Sequence, residues 1–196
     1  MSNPNHTRPE AIYIVEYAGI PIGIDVLDRM VKRASADILY ARPVCIGKFL
    51  IVMGGGVDDV REARQAAADT GAKALQERLL TGAHSEILTY FHRVRDNRKK
   101  SITDKTAVGI LETRHAASGF YSLDAALKRG RVRLEQLWLG HCIGGKFCYI
   151  LSGRVEDIHS ALTAARESLD PAEIVSDRII PALNEKAAAF LFRAYG

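Results

Sequence analysis

Ala11-Ile-Tyr-Ile-Val-Glu16 and Ala107-Val-Gly-Ile-Leu-Glu112 decide the fold, because the second segment is the first again, 96 residues later. At the same offset Gly23 falls on Gly119, Leu27 on Leu123, Asp28 on Asp124, Lys32 on Lys128 and Arg33 on Arg129. A two-residue insertion then moves the offset to 98, and Gly47-Lys48-Phe49 falls on Gly145-Lys146-Phe147. Gly55, Val57, Asp59 and Ala63 follow on Gly153, Val155, Asp157 and Ala161. Matches that keep their order across one small gap mark a duplicated unit. The chain reads as two copies, 10–96 and 105–196, joined by a polar stretch from about Arg93 to Lys105.

Each copy carries the same local signals. Residues 11–17 are apolar and rich in β-formers, which predicts a strand. Leu27, Met30, Val31 and Ala34 recur at helical spacing. Segments 38–44 and 49–53 read as two strands, with Pro43 and Gly47 marking the turn. Asp58 or Asp59 is expected to cap the next helix, whose apolar face is Val60, Ala63 and Ala67. A strand near 75–80 closes the unit. The second copy repeats this with strands at 108–113, 132–139 and 147–151, helices through Leu123 and Leu127 and through Ile158, Ala161 and Ala165, and a last helix near 184–192. The order β-α-β-β-α-β is ferredoxin-like, so the expected class is α+β with two tandem ferredoxin-like domains.

Composition sets the outer bounds. Of 196 residues, 47% are apolar and 26% charged, the balance of an ordinary globular chain rather than a disordered or collagen-like one. The longest apolar runs, 49–53 and 187–192, are far short of the roughly 20 residues that span a bilayer. The first ten residues are polar, so a cytoplasmic protein without a membrane partner is expected. Net charge is only +4. One basic cluster, Arg93, Arg95, Arg98, Lys99 and Lys100, has no interleaved aromatics to stack on bases. It reads as a solvated linker, and no nucleic-acid partner is expected.

The motifs argue against catalysis. Gly140-His-Cys-Ile-Gly-Gly-Lys146 fits the opening of a P-loop, but Phe147 stands where the magnesium-binding hydroxyl belongs, and a strand follows instead of a helix. Gly54-Gly55-Gly56 reads as a tight turn. The six histidines form no metal array, and His141 reads as an exposed loop residue. No serine or cysteine has a triad's partners in view. Asp28–Lys32 and Asp124–Lys128 read as i,i+4 ion pairs on helix surfaces. An enzyme is not expected.

These residues resemble the bacterial microcompartment shell domain. The resemblance lies in Ala-Val-Gly-Ile-Leu-Glu-Thr from 107, Leu-Asp-Ala-Ala-Leu-Lys-Arg from 123, Ile-Gly-Gly-Lys-Phe from 143 and Gly-Arg-Val-Glu-Asp-Ile from 153. It covers nearly all of 11–196, and the tandem pair is similar to the trimer-forming class of shell proteins. The resemblance implies a homotrimer with six domains in a pseudohexagonal tile, assembled with other shell proteins in a microcompartment shell. It implies that the loops between second and third strands line a central pore. Here these loops hold Val44, Cys45, Ile46 and Gly47, and His141, Cys142, Ile143 and Gly144. It places Lys32 and Lys128 at the tile edge. The final segment, Ile-Ile-Pro181-Ala-Leu-Asn, departs from the family's usual basic residue, proline and histidine.

The cysteines sharpen this reading. Three cysteines without CxxC cannot build a self-contained metal site. Val-Cys45-Ile-Gly-Lys-Phe, however, is similar to the Ile-Cys-Pro-Gly-Lys-Phe pore loop of tandem shell proteins of the propanediol-utilisation type. The resemblance implies one [4Fe-4S] cluster per trimer, held by Cys45 of each chain, with electrons exchanged across the shell and with an encapsulated redox enzyme. A three-fold axis turns one cysteine per chain into three converging thiolates. Two alternatives stay open: a metal-free pore for small metabolites, and a trimeric ferredoxin-like regulator that binds a ligand. Cys142 is displaced by the insertion, since Cys45 aligns with Ile143. Cys148, inside a strand, is expected to be buried.

Overall fold

The computed structural model of the chain describes residues 11–95, 107–140 and 143–191. They form two compact units. One holds the residues up to Leu88 together with the segment Gly140–Gly145; the other holds Thr89–Leu139 and the residues from Lys146 onward.

The first unit runs β1 (Ala11–Tyr17), α1 (Ile20–Arg33), β2 (Asp37–Val44), β3 (Lys48–Gly55), α2 (Val57–Ala68) and β4 (Ala74–Thr81). The strands form one antiparallel sheet in the order β2-β3-β1-β4. β1 is central and buried at every residue, which is why its sequence is a near-continuous apolar run. Both helices cover one face of this sheet. Val26 and Met30 of α1 and Val60, Ala63 and Ala67 of α2 pack on Tyr13, Val15, Ile51 and Met53. Pro21 opens α1, where a missing N–H costs nothing, and Lys32 and Arg33 close it against the negative end of the helix dipole. Gly23 lets α1 close on β3, since a Cβ there would lie 2.5 Å from the Phe49 ring. The expected aspartate cap is corrected. Gly56 is the N-cap without a side-chain bond, because α2 already begins at Val57. Asp58 and Asp59 sit in the first turn, where their charge meets the helix dipole. Across the sheet, Glu77 of β4 accepts from the buried Tyr13 hydroxyl and from Arg64 of α2 at 2.7 Å.

The second unit repeats the plan: β5 (Ala107–Thr113), α4 (Ala116–Arg129), β6 (Arg133–Leu139), β7 (Phe147–Gly153), α5 (Val155–Glu167) and β8 (Ile174–Ile180), followed by α6 (Glu185–Leu191). Its sheet order is β6-β7-β5-β8, again antiparallel. Gly119 reproduces Gly23, with its missing Cβ only 2.0 Å from Phe147. The second unit also carries an element the linker reading did not include. The helix α3 (Ser85–Arg95) contributes Tyr90, Phe91 and Arg93 to it. Phe91 stacks on Phe120 of α4, with ring centroids 6.1 Å apart, and Phe120 lies against Phe147. Leu137 donates its backbone N–H to the Tyr90 hydroxyl at 3.0 Å, and Arg93 donates to the Leu134 carbonyl at 2.6 Å. Arg93 is therefore a helix residue with a backbone partner, whereas Arg98, Lys99 and Lys100 lie outside the described residues.

Candidate functional site

The loop between β2 and β3 is a single 3-10 turn, Cys45–Gly47. Its conformation is unusual for its sequence. Ile46 has φ 68° and ψ 27°, and Gly47 has φ 71°. Among the described residues, Ile46 is the one non-glycine with positive φ. A β-branched residue in the left-handed region carries roughly 1–2 kcal/mol of strain. Ile46 is also the most exposed of the large apolar side chains described, at 78%. Cys45, beside it, is partly exposed and in no disulfide. Val44 is buried and Gly47 exposed.

The glycine-rich segment rejected as a P-loop belongs to the same unit as Cys45. Gly140 accepts the Cys45 N–H at 3.1 Å and the Gly145 N–H at 3.2 Å through one carbonyl. Gly140, Gly144 and Gly145 all have positive φ, between 66° and 75°. At Gly140 a Cβ would also lie 2.8 Å from that of Val44. At Gly145 it would stand 3.3 Å from both the Cys45 carbonyl oxygen and the Lys48 ammonium nitrogen. Gly140 and Gly145 permit close approach to the cysteine turn. Ile143 is partly exposed and Gly144 exposed. His141 and Cys142 lie outside the described residues.

A buried ion pair underlies the turn. Lys48 sits 3.4 Å from Glu16 of β1, with the two side chains 16% and 1% exposed. The repeat reproduces it as Lys146–Glu112 at 2.7 Å in a more open setting. Cys148 of β7 is partly exposed rather than fully buried, yet burial still pushes its thiol up to about 12, with the Glu112 charge adding to the effect. A thiol held protonated in this way is a poor metal ligand or nucleophile.

Lys32 and Lys128 end α1 and α4 and pair with Asp28 and Asp124, each at 2.5 Å, as the i,i+4 spacing predicts. The two pairs differ in setting, since Asp28 is exposed and Asp124 buried. Among the described residues no three His, Cys, Asp or Glu side chains gather as a metal site. None of the described helices is long and apolar enough to cross a membrane. The donor set nevertheless fits a cluster shared between chains. Cys45 is a partly exposed thiol in no disulfide, a residue that could hold such a cluster where copies of it converge.

Comparisons with known proteins converge on one family. The BMC domain matches twice, over residues 11–84 and 107–183. The bacterial microcompartment shell protein PduT of Citrobacter freundii is 32% identical over 160 residues, covering 81% of this chain and 84% of that protein. The crystal structure of a microcompartment protein from Desulfitobacterium hafniense superposes with a TM-score of 0.80 at 31% identity, covering 90% of this chain and 96% of the other. The fused permuted hexameric shell protein MSM0275 of the RMM microcompartment shares the fold, with a TM-score of 0.57 at 20% identity over 80% and 82% of the two chains.

Proposed function

Since the chain belongs to the BMC-domain family of bacterial microcompartment shell proteins, we propose that it is a trimeric, pseudohexagonal tile of such a shell, with a redox-active central pore. The two domains of each chain alternate around the tile. The β2–β3 turn and the Gly140–Gly145 segment line its centre, and Lys32 and Lys128 face neighbouring tiles.

The observation that carries the pore reading is Cys45 on its exposed, strained turn, anchored through its backbone to Gly140. Three such turns around a three-fold axis would present three thiolates to one [4Fe-4S] cluster. When bound, that cluster supplies a one-electron carrier. The chain's own residues supply its surroundings. Gly140 fixes the cysteine backbone. The Lys48–Glu16 pair places a cation and an anion beneath the turn, and the exposed Ile46 gives the mouth an apolar rim. An encapsulated redox enzyme on one face and a cytosolic carrier on the other are the partners this arrangement serves.

Electron microscopy of the purified protein tests the tile. Extended sheets, tubes or closed shells are expected, alone or with other shell proteins. Replacing Lys32 and Lys128 by glutamate should leave discrete trimers. Discrete particles from the native chain under every assembly condition would instead favour a ligand-binding regulator. A native tile that assembles but never binds iron would favour a metal-free solute pore.

A further inference from the structure

The repeats keep one surface segment in register and change its charge. In the first repeat, residues 25–37 run from α1 into the start of β2. They hold three cations, Arg29, Lys32 and Arg33, against three carboxylates, Asp25, Asp28 and Asp37. The counterpart 96 residues on, 121–133, holds four cations, Lys128, Arg129, Arg131 and Arg133, against Asp124 alone. Asp37 and Arg133 are each the first residue of their strand, so an anion and a cation occupy the same place in the fold.

Tertiary partners widen the difference. Arg33 binds Asp69 and reaches Glu62 at 3.8 Å. Its counterpart Arg129 has no ion-pair partner among the described residues, and neither has Arg131. Arg133 lies 3.8 Å from Glu135. With these partners counted, the first segment has three cations and five carboxylates, and the second four cations and two carboxylates. Arg129, Arg131 and Arg133 are exposed, as are Asp25, Asp28 and Asp37. A merely solvated face mixes both signs. Here the sign of the excess is opposite in the two copies of one segment.

We infer that tiles join through unlike edges, the basic 121–133 segment of one tile docking on the acidic 25–37 segment of a second copy in the neighbouring tile. The inference rests on the tile reading above and adds a pairing rule to it. In a hexagonal tile whose edges alternate, opposite edges are unlike. A sheet made by translating one tile therefore sets a first-repeat edge against a second-repeat edge at every contact, and every tile keeps the same orientation. Charge favours that arrangement. Joining two second-repeat edges would set Arg129, Arg131 and Arg133 against their own copies, and like charges in contact are costly.

The test is sheet assembly of the full-length protein, read by electron microscopy and sedimentation, with native mass spectrometry to count chains. Salt comes first, on the native protein. Raising it from about 0.15 M to about 1 M shortens the screening length from about 8 Å to about 3 Å, so sheets should dissolve to trimers. The triple variant Arg129→Glu, Arg131→Glu and Arg133→Glu makes both edges acidic and should raise the concentration needed for sheets by about tenfold or more. Adding Asp25→Lys and Asp37→Lys to it exchanges the two edges and should bring sheets back. All five positions are exposed, so circular dichroism should show both variants folded. Native sheets that strengthen with salt would overturn the unlike pairing. A triple variant that assembles as the native chain does, or a folded five-site variant that stays in trimers, would overturn it as well. Native trimers that never form sheets would overturn the tile reading itself, and the pairing with it.

Discussion

The backbone N–H of Cys45 donates to the carbonyl of Gly140, 95 positions along the chain, at 3.1 Å. The bond ties the cysteine proposed as the ligand to the glycine-rich segment of the second repeat. It explains why Gly140-His-Cys-Ile-Gly-Gly can resemble a phosphate loop and do something else. Its glycines bring one turn against another, not backbone amides against an anion.

Gly140→Ala should therefore disturb the cysteine turn. Alanine at φ +67° meets both left-handed strain and the close approach of Val44. The expected cost is about 2 kcal/mol, read from urea unfolding. Iron uptake on anaerobic reconstitution should fall with it, whereas Gly71→Ala, also at positive φ but away from the turn, should lose stability without losing iron. Equal iron uptake by native protein and Gly140→Ala would contradict the positioning role.

Ile46 offers a test of opposite sign. Glycine adopts φ 68° without strain, so Ile46→Gly should stabilise the chain by up to about 1 kcal/mol once the added freedom of the unfolded chain is counted. Proline holds φ near −65°, so Ile46→Pro should destabilise. Thermal melts of the two variants decide the matter, and a Pro variant as stable as the native chain would show that the turn is not held left-handed.

The ion pair beneath the turn should be asymmetric between repeats. Lys48→Met removes an ion-pair partner of the nearly fully buried Glu16 and should cost about 3 kcal/mol. Lys146→Met removes the partner of a more open Glu112 and should cost under about 1 kcal/mol. Chemical denaturation of both variants checks this ordering.

Acid should weaken the first repeat through Glu77. Burial opposes ionisation of this carboxyl, but hydrogen bonds from Arg64 and Tyr13 outweigh it and hold the group below the usual 4.5. A carboxyl lowered on folding contributes stability that is complete above its unfolded value and is lost as pH falls through the folded one. Unfolding free energy should thus decline below pH 4.5, and Glu77→Gln should flatten that part of the profile while lowering stability at neutral pH. A native profile that matches the variant's would contradict the assignment.

The duplication and both sheets were legible because identity at fixed spacing and strand alternation are local signals. Lys32–Asp28 and Lys128–Asp124 were legible for the same reason, since i,i+4 spacing alone brings them together. The α3 helix was not, although Ile87, Leu88, Tyr90 and Phe91 carry an apolar face, because its polar continuation blends into the linker. The left-handed Ile46 ran against every local preference of a β-branched residue. The bond from Cys45 to Gly140 joins distant segments and leaves no local trace. His141 and Cys142 were drawn from the sequence as pore residues and lie outside the described part of the chain. The uneven burial of the two repeats is visible only in three dimensions, since aligned residues such as Ile24 and Phe120 are equally apolar.

Anaerobic native mass spectrometry tests the central claim most directly, because one spectrum reads both the number of chains and the bound cluster. The protein should appear as a trimer carrying the mass of a single [4Fe-4S] cluster, and Cys45→Ser should give the bare trimer. A bare trimer from native protein after anaerobic reconstitution, or a cluster that survives Cys45→Ser, would contradict the account.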